Sequence, residues 1–372
     1  MRLLDRYLFR EVLVPLSYTL SGFLLFWVTF DAFNNFAKLQ EKHLSATDIA
    51  RYYAMGAPEM LVFVMPVALL LALLYALTNH ARHHELTAMR AAGLSLWRIC
   101  LPHLALGLVF SVLVFLLTEY VVPGATERSQ AILNKYESAE AAAGRVHPTV
   151  HYRNARDGRI WAIGAFDTIT AEMRSVQVEW PGADGTLERL FARRAVPTNG
   201  AWGFFDVQTF RYKNQADFEG SLQTGRTNYV FKPELAETPE DFRIVMKFNR
   251  LSSVDASRKP HMTLQELVYL RTHLDLNRRD RALLDTQWHA RLAQPWMSLV
   301  VVLMALPFGA ASGRRNVFVG VASSIFICFA YFIVLRFSLA LGTGGHMPAM
   351  VAGWLPNILF GGSGLWLTQR TR

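Results

Sequence analysis

Reactive residue types are present in this chain, but their spacing rarely suits them to chemistry. His83-His84-Glu85 lacks the second histidine of an H-E-x-x-H helix, so it does not form a zinc site with a general base beside it. Gly361-Gly362-Ser363-Gly364 lies in an apolar run and lacks the spacing of a nucleophile elbow. It reads instead as a small-residue face for close helix packing. No G-x-x-x-x-G-K-S/T loop occurs, so nucleotide phosphates have no P-loop here. The 11 histidines never fall at metal-ligand spacing with carboxylates. The sequence therefore offers no catalytic, cofactor-binding or metal-binding set. Any movement of a substrate against a gradient needs energy from an ion or a partner.

Two other groups of residues carry a signal. Glu85-Leu86-Thr87-Ala88-Met89-Arg90-Ala91-Ala92-Gly93-Leu94-Ser95 predicts a short helix closed by Gly93. Its Leu86 and Met89, flanked by Glu85 and Arg90, suit a groove on a soluble partner, or alternatively a membrane surface. The second group is Glu59, Glu119 and Arg336, ionisable residues at or near the ends of apolar runs. Such groups are functional candidates at membrane depth. Arg336 could pair with Glu119 or meet the phosphates of an anionic lipid, and a snorkelling or structural ion-pair role is the alternative.

These residues are positioned by six uncharged apolar runs: Val12–Phe30, Met60–Thr78, Ile99–Thr118, Leu292–Gly313, Val317–Leu335 and Pro348–Thr368. Each approaches or exceeds the roughly 20 helical residues that cross a bilayer. They are split three and three by a polar insert, residues 124–290. The net charge of +9 does not mark a nucleic-acid groove. The insert holds 23 Lys+Arg against 21 Asp+Glu, and the remaining +7 flanks the spans. Short loops keep their basic residues on the cytoplasmic side. With the N-terminus inside, Arg2, Arg6, Arg10, Arg82, Arg90, Arg98, Arg314, Arg315, Arg370 and Arg372 are cytoplasmic. Only Lys38, Lys42 and Arg51 fall in short outer loops. Both termini are thus expected inside, the insert outside, and the first span is expected to be an uncleaved anchor. Cys100 and Cys328 lie within spans and read as packing residues.

The insert reads mostly as strands. Arg159–Phe166, Met173–Trp180, Leu187–Val196, Trp202–Tyr212 and Phe218–Phe231 are separated by turn signals such as Pro181-Gly182-Ala183-Asp184-Gly185 and Asn199-Gly200. This predicts an antiparallel sandwich, barrel or jelly roll. Ala125–Ala143 reads as helix extending the third span. Thr263 with Glu266 predicts a capped helix, and about 278–292 a second helix leading into the fourth span.

Several of these segments, in order, resemble the lipopolysaccharide export permease family of the LptF/LptG type. Glu85–Ser95 is similar to its E-L-T-x-M-R-A-A-G-I/L-S signature. Leu3-Leu4-Asp5-Arg6-Tyr7-Leu8 resembles the family's start, particularly in the LptG branch. Pro58-Glu59-Met60 with Pro66, Glu119-Tyr120-Val121-Val122-Pro123, Glu237-Thr238-Pro239-Glu240-Asp241 and His289-Ala290-Arg291-Leu292-Ala293-Gln294-Pro295 follow, then Ala305-Leu306-Pro307-Phe308-Gly309. Gln294, flanked by Trp288 and Trp296, departs from the family's apolar position and bears on how the fourth helix packs.

The resemblance implies a six-helix membrane bundle with an inserted all-β, jelly-roll-like periplasmic domain. Its parts are residues 1–123 with a coupling helix near 82–95, then 124–290, then 291–372. It implies a multi-pass inner-membrane permease, not an enzyme, which extracts lipopolysaccharide from the outer leaflet and passes it to a periplasmic β-jelly-roll adaptor. The implied partners are a second, related six-helix permease and a cytoplasmic ATPase dimer, which binds the ATP. Glu85, Leu86, Met89, Arg90 and Gly93 then belong to the ATPase-coupling helix, and Glu85 matches the family acid that pairs with a basic residue of that subunit. Lys38 and Lys42 lie where the family meets lipid A phosphates, although interfacial anchoring fits them equally. Other readings are another ABC-type lipid or lipoprotein permease, a membrane-embedded enzyme, or a sensor or scaffold.

Overall fold

The computed structural model describes residues 3–41, 44–133, 146–168, 170–182, 186–198, 200–212, 222–252, 261–310 and 317–370. The chain divides into two compact units, Met1–Tyr136 with Ala282–Arg372, and Glu137–Arg281. In the first unit the helices are α1 (Leu3–Asn34), α2 (Phe36–Glu41), α3 (Ala46–Arg82), α4 (Glu85–Ala91), α5 (Leu96–Leu116) and α6 (Val122–Leu133). In the second they are α7 (Pro239–Ser252) and α8 (Leu264–His273). Then follow α9 (Arg278–Ala293), α10 (Met297–Ala310), α11 (Val317–Thr343) and α12 (Ala349–Arg370).

Helix α3 is the centre of the first unit, packed by α1, α6, α10 and α11. Ala68, Leu69, Leu70, Ala72, Leu73 and Leu74 are buried on every side, as expected of a helix apolar all round. Five helical segments are long and apolar enough to cross a bilayer: Leu3–Asn34, Ala46–Arg82, Trp97–Ser129, Arg278–Pro307 and Ala322–Thr343. The sixth expected span forms α12, a helix of 22 residues. Its Pro356, Asn357 and Gly361-Gly362-Ser363-Gly364 make it less apolar than the other five. Those residues pack instead. A Cβ on Gly364 would stand 2.7 Å from the Leu303 carbonyl oxygen, and one on Gly353 2.8 Å from the His289 Cβ. Only glycine admits this approach to α9 and α10, whereas Gly362 faces open space.

Pro123 and Pro295 interrupt the regular hydrogen bonding of the spanning helices, and the two interruptions are resolved differently. Pro123 has no N–H to return to the Glu119 carbonyl, and the preceding Leu117–Val121 widens into a π-turn, with Val122 N bonding Leu117 O. At Gln294–Trp296, around Pro295, the chain tightens into a 3-10 turn, and Met297 N bonds Gln294 O. The buried Asn357 amide donates to the Ala293 carbonyl at 2.7 Å and accepts the Tyr331 hydroxyl at 2.7 Å. The packing of the fourth span around Gln294 therefore rests on a polar side chain from α12.

The second unit is a six-stranded antiparallel sheet in the order β1 (Val146–Arg153), β2 (Ile160–Asp167), β3 (Met173–Pro181), β4 (Leu187–Thr198), β5 (Ala201–Tyr212) and β6 (Leu222–Lys232). Each strand pairs with its neighbour in sequence. Among the described residues this is an up-and-down meander, not the crossed-over order of a jelly roll. Gly164, Ser175, Arg193 and Asp206 form a row where pairing lapses without a register shift. Ser175 and Asp206 take positive φ there, and the buried set switches from Trp161 and Ile163 to Phe166. Helix α7 covers this face. The Phe242 ring lies 5.1 Å from Trp161, 5.8 Å from Trp202 and 5.6 Å from Tyr152. Thr238 and Asp241 cap α7 reciprocally, side chain to backbone, and Thr263 with Glu266 forms the predicted capping box on α8.

Removing the Asn357 amide leaves the Ala293 carbonyl and the Tyr331 hydroxyl unpaired in an apolar setting. Asn357→Ala is expected to lower stability by about 1–3 kcal/mol. Tyr331→Phe in that background is expected to cost less than in the wild type. Thermal unfolding of the four variants in detergent checks both outcomes.

Candidate functional site

The loop between α3 and α5 folds as the sequence predicts, but it faces the other way. Helix α3 ends at Arg82, His83 is its cap, and His84 turns the chain with φ 58°. Helix α4 then runs from Glu85 to Ala91. Gly93 ends it with φ 84°, where Gly93 N bonds Arg90 O and Leu94 N bonds Met89 O. This is the paired bonding of a Schellman stop, which favours glycine at that position. Ser95 caps α5, accepting from Arg98 N at 3.3 Å.

The carboxylate that opens α4 is already engaged within the chain. Glu85 Oε2 accepts the Tyr7 hydroxyl at 2.9 Å and faces His80 Nδ1 at 2.6 Å, which places a proton on Nδ1. His80 is buried on α3, and its ring lies 5.7 Å from that of Tyr7 on α1. Burial raises the Glu85 carboxyl. The His80 and Tyr7 hydrogen bonds and the charges of His80 and His83 outweigh it and hold the group below its ordinary value. Nearby, Arg98 of α5 meets Asp5 of α1 at 2.8 Å.

Beneath these contacts Leu8, Leu86 and Ile99 form a small core with Leu4, Ala81, Met89 and Leu94. Leu86 is only 8% exposed. This reverses the expected docking face. Leu86 anchors α4 to α1 and α5, Met89 lies half-buried beside it, and Thr87, Ala88, Arg90 and Ala91 face out. The reason is the common demand on an amphipathic helix: its apolar stripe is taken by the nearest core. Tyr7, His80, Asp5 and Arg98 are the residues that sequence reasoning missed. Asp5 and Tyr7 lie in the N-terminal segment that resembles the family's start, and His80 stands five residues before Glu85.

The other candidates are dispersed. Glu59 on α3 accepts the Thr126 hydroxyl of α6 at 3.2 Å. Glu119 is half-buried in the π-turn. Arg336 is exposed on α11, between exposed Ile333 and Phe337, and among the described residues no ion pair joins it to Glu119. Lys38 lies on α2, and Lys42 lies outside the described residues. Among the described residues no group of three or more His, Cys, Asp or Glu could hold a metal ion.

Residues 6–370 match the family described as lipopolysaccharide export system permease LptF/LptG. The chain belongs to this family, whose members are transport permeases and not enzymes. No curated protein matches the chain.

Because the Glu85 carboxyl is held low, its stabilisation is complete above the ordinary value of 4.5 and is lost as pH falls through the lowered one. Glu85→Gln is therefore expected to reduce stability near pH 7, by about 1 kcal/mol for a partly exposed charged hydrogen bond. The gap from wild type closes below pH 4.5. Unfolding midpoints of the two proteins across pH test this. Gly93→Ala, which meets no atom within 4 Å, is expected to cost about 1–2 kcal/mol from its φ alone.

Proposed function

We propose that this member of the LptF/LptG family is the permease subunit of an ABC-type exporter. It draws lipopolysaccharide from the outer leaflet of the inner membrane and passes it to a periplasmic β-jelly-roll adaptor. In this reading both termini are cytoplasmic, α12 completes a six-span bundle, and the β-sheet unit lies in the periplasm. A second, related six-helix permease completes the membrane part. Two copies of a cytoplasmic ATPase supply the energy. The functional division is residues 1–123, 124–290 and 291–372, with the coupling segment near 82–95.

The observation that carries this reading is the attachment of α4 to three long helices at once. Glu85 holds Tyr7 of α1 and His80 of α3, and Leu86 packs on Leu8 of α1 and Ile99 of α5. A coupling element needs a free outer face for the motor and a stiff inner face toward the helices it moves. Thr87, Ala88, Arg90 and Ala91 supply the outer face. Glu85 can serve both faces, because Oε2 takes the internal bonds and its side chain is 33% exposed, leaving Oε1 for a cation of the ATPase. The coupling role is thus shared differently from the sequence expectation: Glu85 and Arg90 meet the ATPase, Leu86 and Met89 transmit, and Gly93 sets the length of the helix.

Cargo contacts follow from exposure and charge. Arg336 projects from the apolar outer face of α11, with no ion pair among the described residues, and is assigned to a lipid phosphate. Lys38 and Lys42 are assigned to the same kind of ligand from their place beyond the first span.

Purification of the chain from its native membrane is expected to bring down an ATPase and a second six-span permease. Isolation without either would favour an enzyme, a sensor or a scaffold. Ala88→Trp is expected to reduce ATPase association at least tenfold while insertion and unfolding temperature stay near wild type. Unchanged association would remove α4 from the coupling role.

A further inference from the structure

The outward face of α1 carries a feature that neither cargo nor ATPase coupling uses. Arg6, Phe9, Arg10, Leu13, Val14 and Ser17 line a groove of about 520 Å³. Arg6 and Arg10 are one helical turn apart and exposed, and neither has an ion pair among the described residues. Of the arginines near the same ends of the long helices, Arg98 holds Asp5 and Arg370 lies 4.0 Å above the Trp366 ring, whereas Arg82 is exposed but lines no part of the groove. Leu8, Val12 and Leu16, on the opposite face of α1, are the residues that seat the helix in the bundle. The arginine face is therefore turned away from the protein core.

The groove changes character along the helix. Leu13 and Val14, 46% and 45% exposed, continue the arginine stripe toward the apolar middle of the span. The Ser17 hydroxyl is consumed by its own Val14 carbonyl at 2.8 Å and adds no polar demand. Arg10 to Ser17 covers about 10 Å at the helical rise. Two guanidinium groups above an apolar wall of that depth match an amphiphile with an anionic head. Guanidinium binds phosphate oxygens in a bidentate fork. A free phosphate would leave Leu13 and Val14 uncovered, and an apolar helix would leave both guanidinium groups without a counter-charge.

We propose that Arg6 and Arg10 hold the headgroup phosphate of an anionic glycerophospholipid, with its acyl chains along Leu13, Val14 and Ser17. The lipid belongs to the leaflet that borders the N-terminus, which is the cytoplasmic leaflet on the topology proposed above and not the leaflet of the cargo. It is a bound structural lipid beside the end of α1 that Tyr7 ties to the loop helix and Asp5 ties to α5.

The test uses the full chain with its copurifying partners, in nanodiscs of phosphatidylglycerol with phosphatidylcholine, and reads retained lipid by native mass spectrometry. Wild type is expected to retain phosphatidylglycerol over phosphatidylcholine, and Arg6→Gln with Arg10→Gln to lose at least fivefold of it. The control, Arg278→Gln with Arg279→Gln, removes the same charge from exposed positions at the end of another long helix and is expected to retain the lipid. Equal retention by all three, or equal loss in the control, overturns the proposal. Recovery of lipopolysaccharide from this site, or its coverage by a partner helix in place of lipid, overturns it as well. Failure of the topology shows separately, as labelling of Leu3→Cys by an impermeant thiol reagent in intact cells. That result would move the site to the other leaflet with its lipid selectivity unchanged.

Discussion

One carboxylate oxygen, Glu85 Oε2, takes a hydrogen bond from α1 and another from α3 while belonging to α4. Neither donor would hold the helix ends together alone, because a net hydrogen bond to a charged group contributes only about 1.5–3 kcal/mol. Their convergence on one atom makes the two contacts interdependent. Withdrawing either Tyr7 or His80 removes a hydrogen bond that holds the Glu85 carboxyl below its ordinary value. The Asp5–Arg98 pair and the Leu8, Leu86 and Ile99 core add α5 to the same end of α1, so polar and apolar contacts specify one arrangement.

The long helices obey a related constraint. Hydrocarbon offers no hydrogen bonds, so each backbone group freed within a span must find a protein partner. At Pro123 the backbone finds its own solution in a π-turn. Near Pro295 it needs help from Asn357, a residue 64 positions away on another helix. That requirement explains why α12 is less apolar than its neighbours. Its polar and small residues satisfy the Ala293 carbonyl and admit the close approach at Gly353 and Gly364. The composition that weakens it as an isolated span is what packs it within the bundle.

Much of this was legible in the residues, for identifiable reasons. Uncharged runs long enough to span a bilayer leave few alternatives, and turn residues such as Asn199-Gly200 mark reversals directly. The Thr263–Glu266 box is a local signal and was met as predicted. Helix α7 carries the same kind of signal in Thr238-Pro239-Glu240-Asp241, but it follows closely on the last strand and was not read as a helix. The direction of Leu86 was not legible. An amphipathic stripe states that one face will be buried, not whether the cover comes from the same chain or another. The change of buried face along the sheet was hidden too, since positive φ at Ser175 and Asp206 has no glycine to announce it.

The two left-handed residues that bracket α4, His84 and Gly93, give it sharp corners at both ends. Between them the seven residues of α4 span about 10 Å. In the coupling role proposed above, the segment would act as a short crank whose arm cannot lengthen. A tilt of about 10° displaces its far end by only about 2 Å at that length. So small a stroke matters only if none is lost to slack, and the contacts with α1, α3 and α5 remove the slack. The gain in such a device lies downstream, in helices of 32 and 37 residues that turn a small displacement at one end into a larger one at the other.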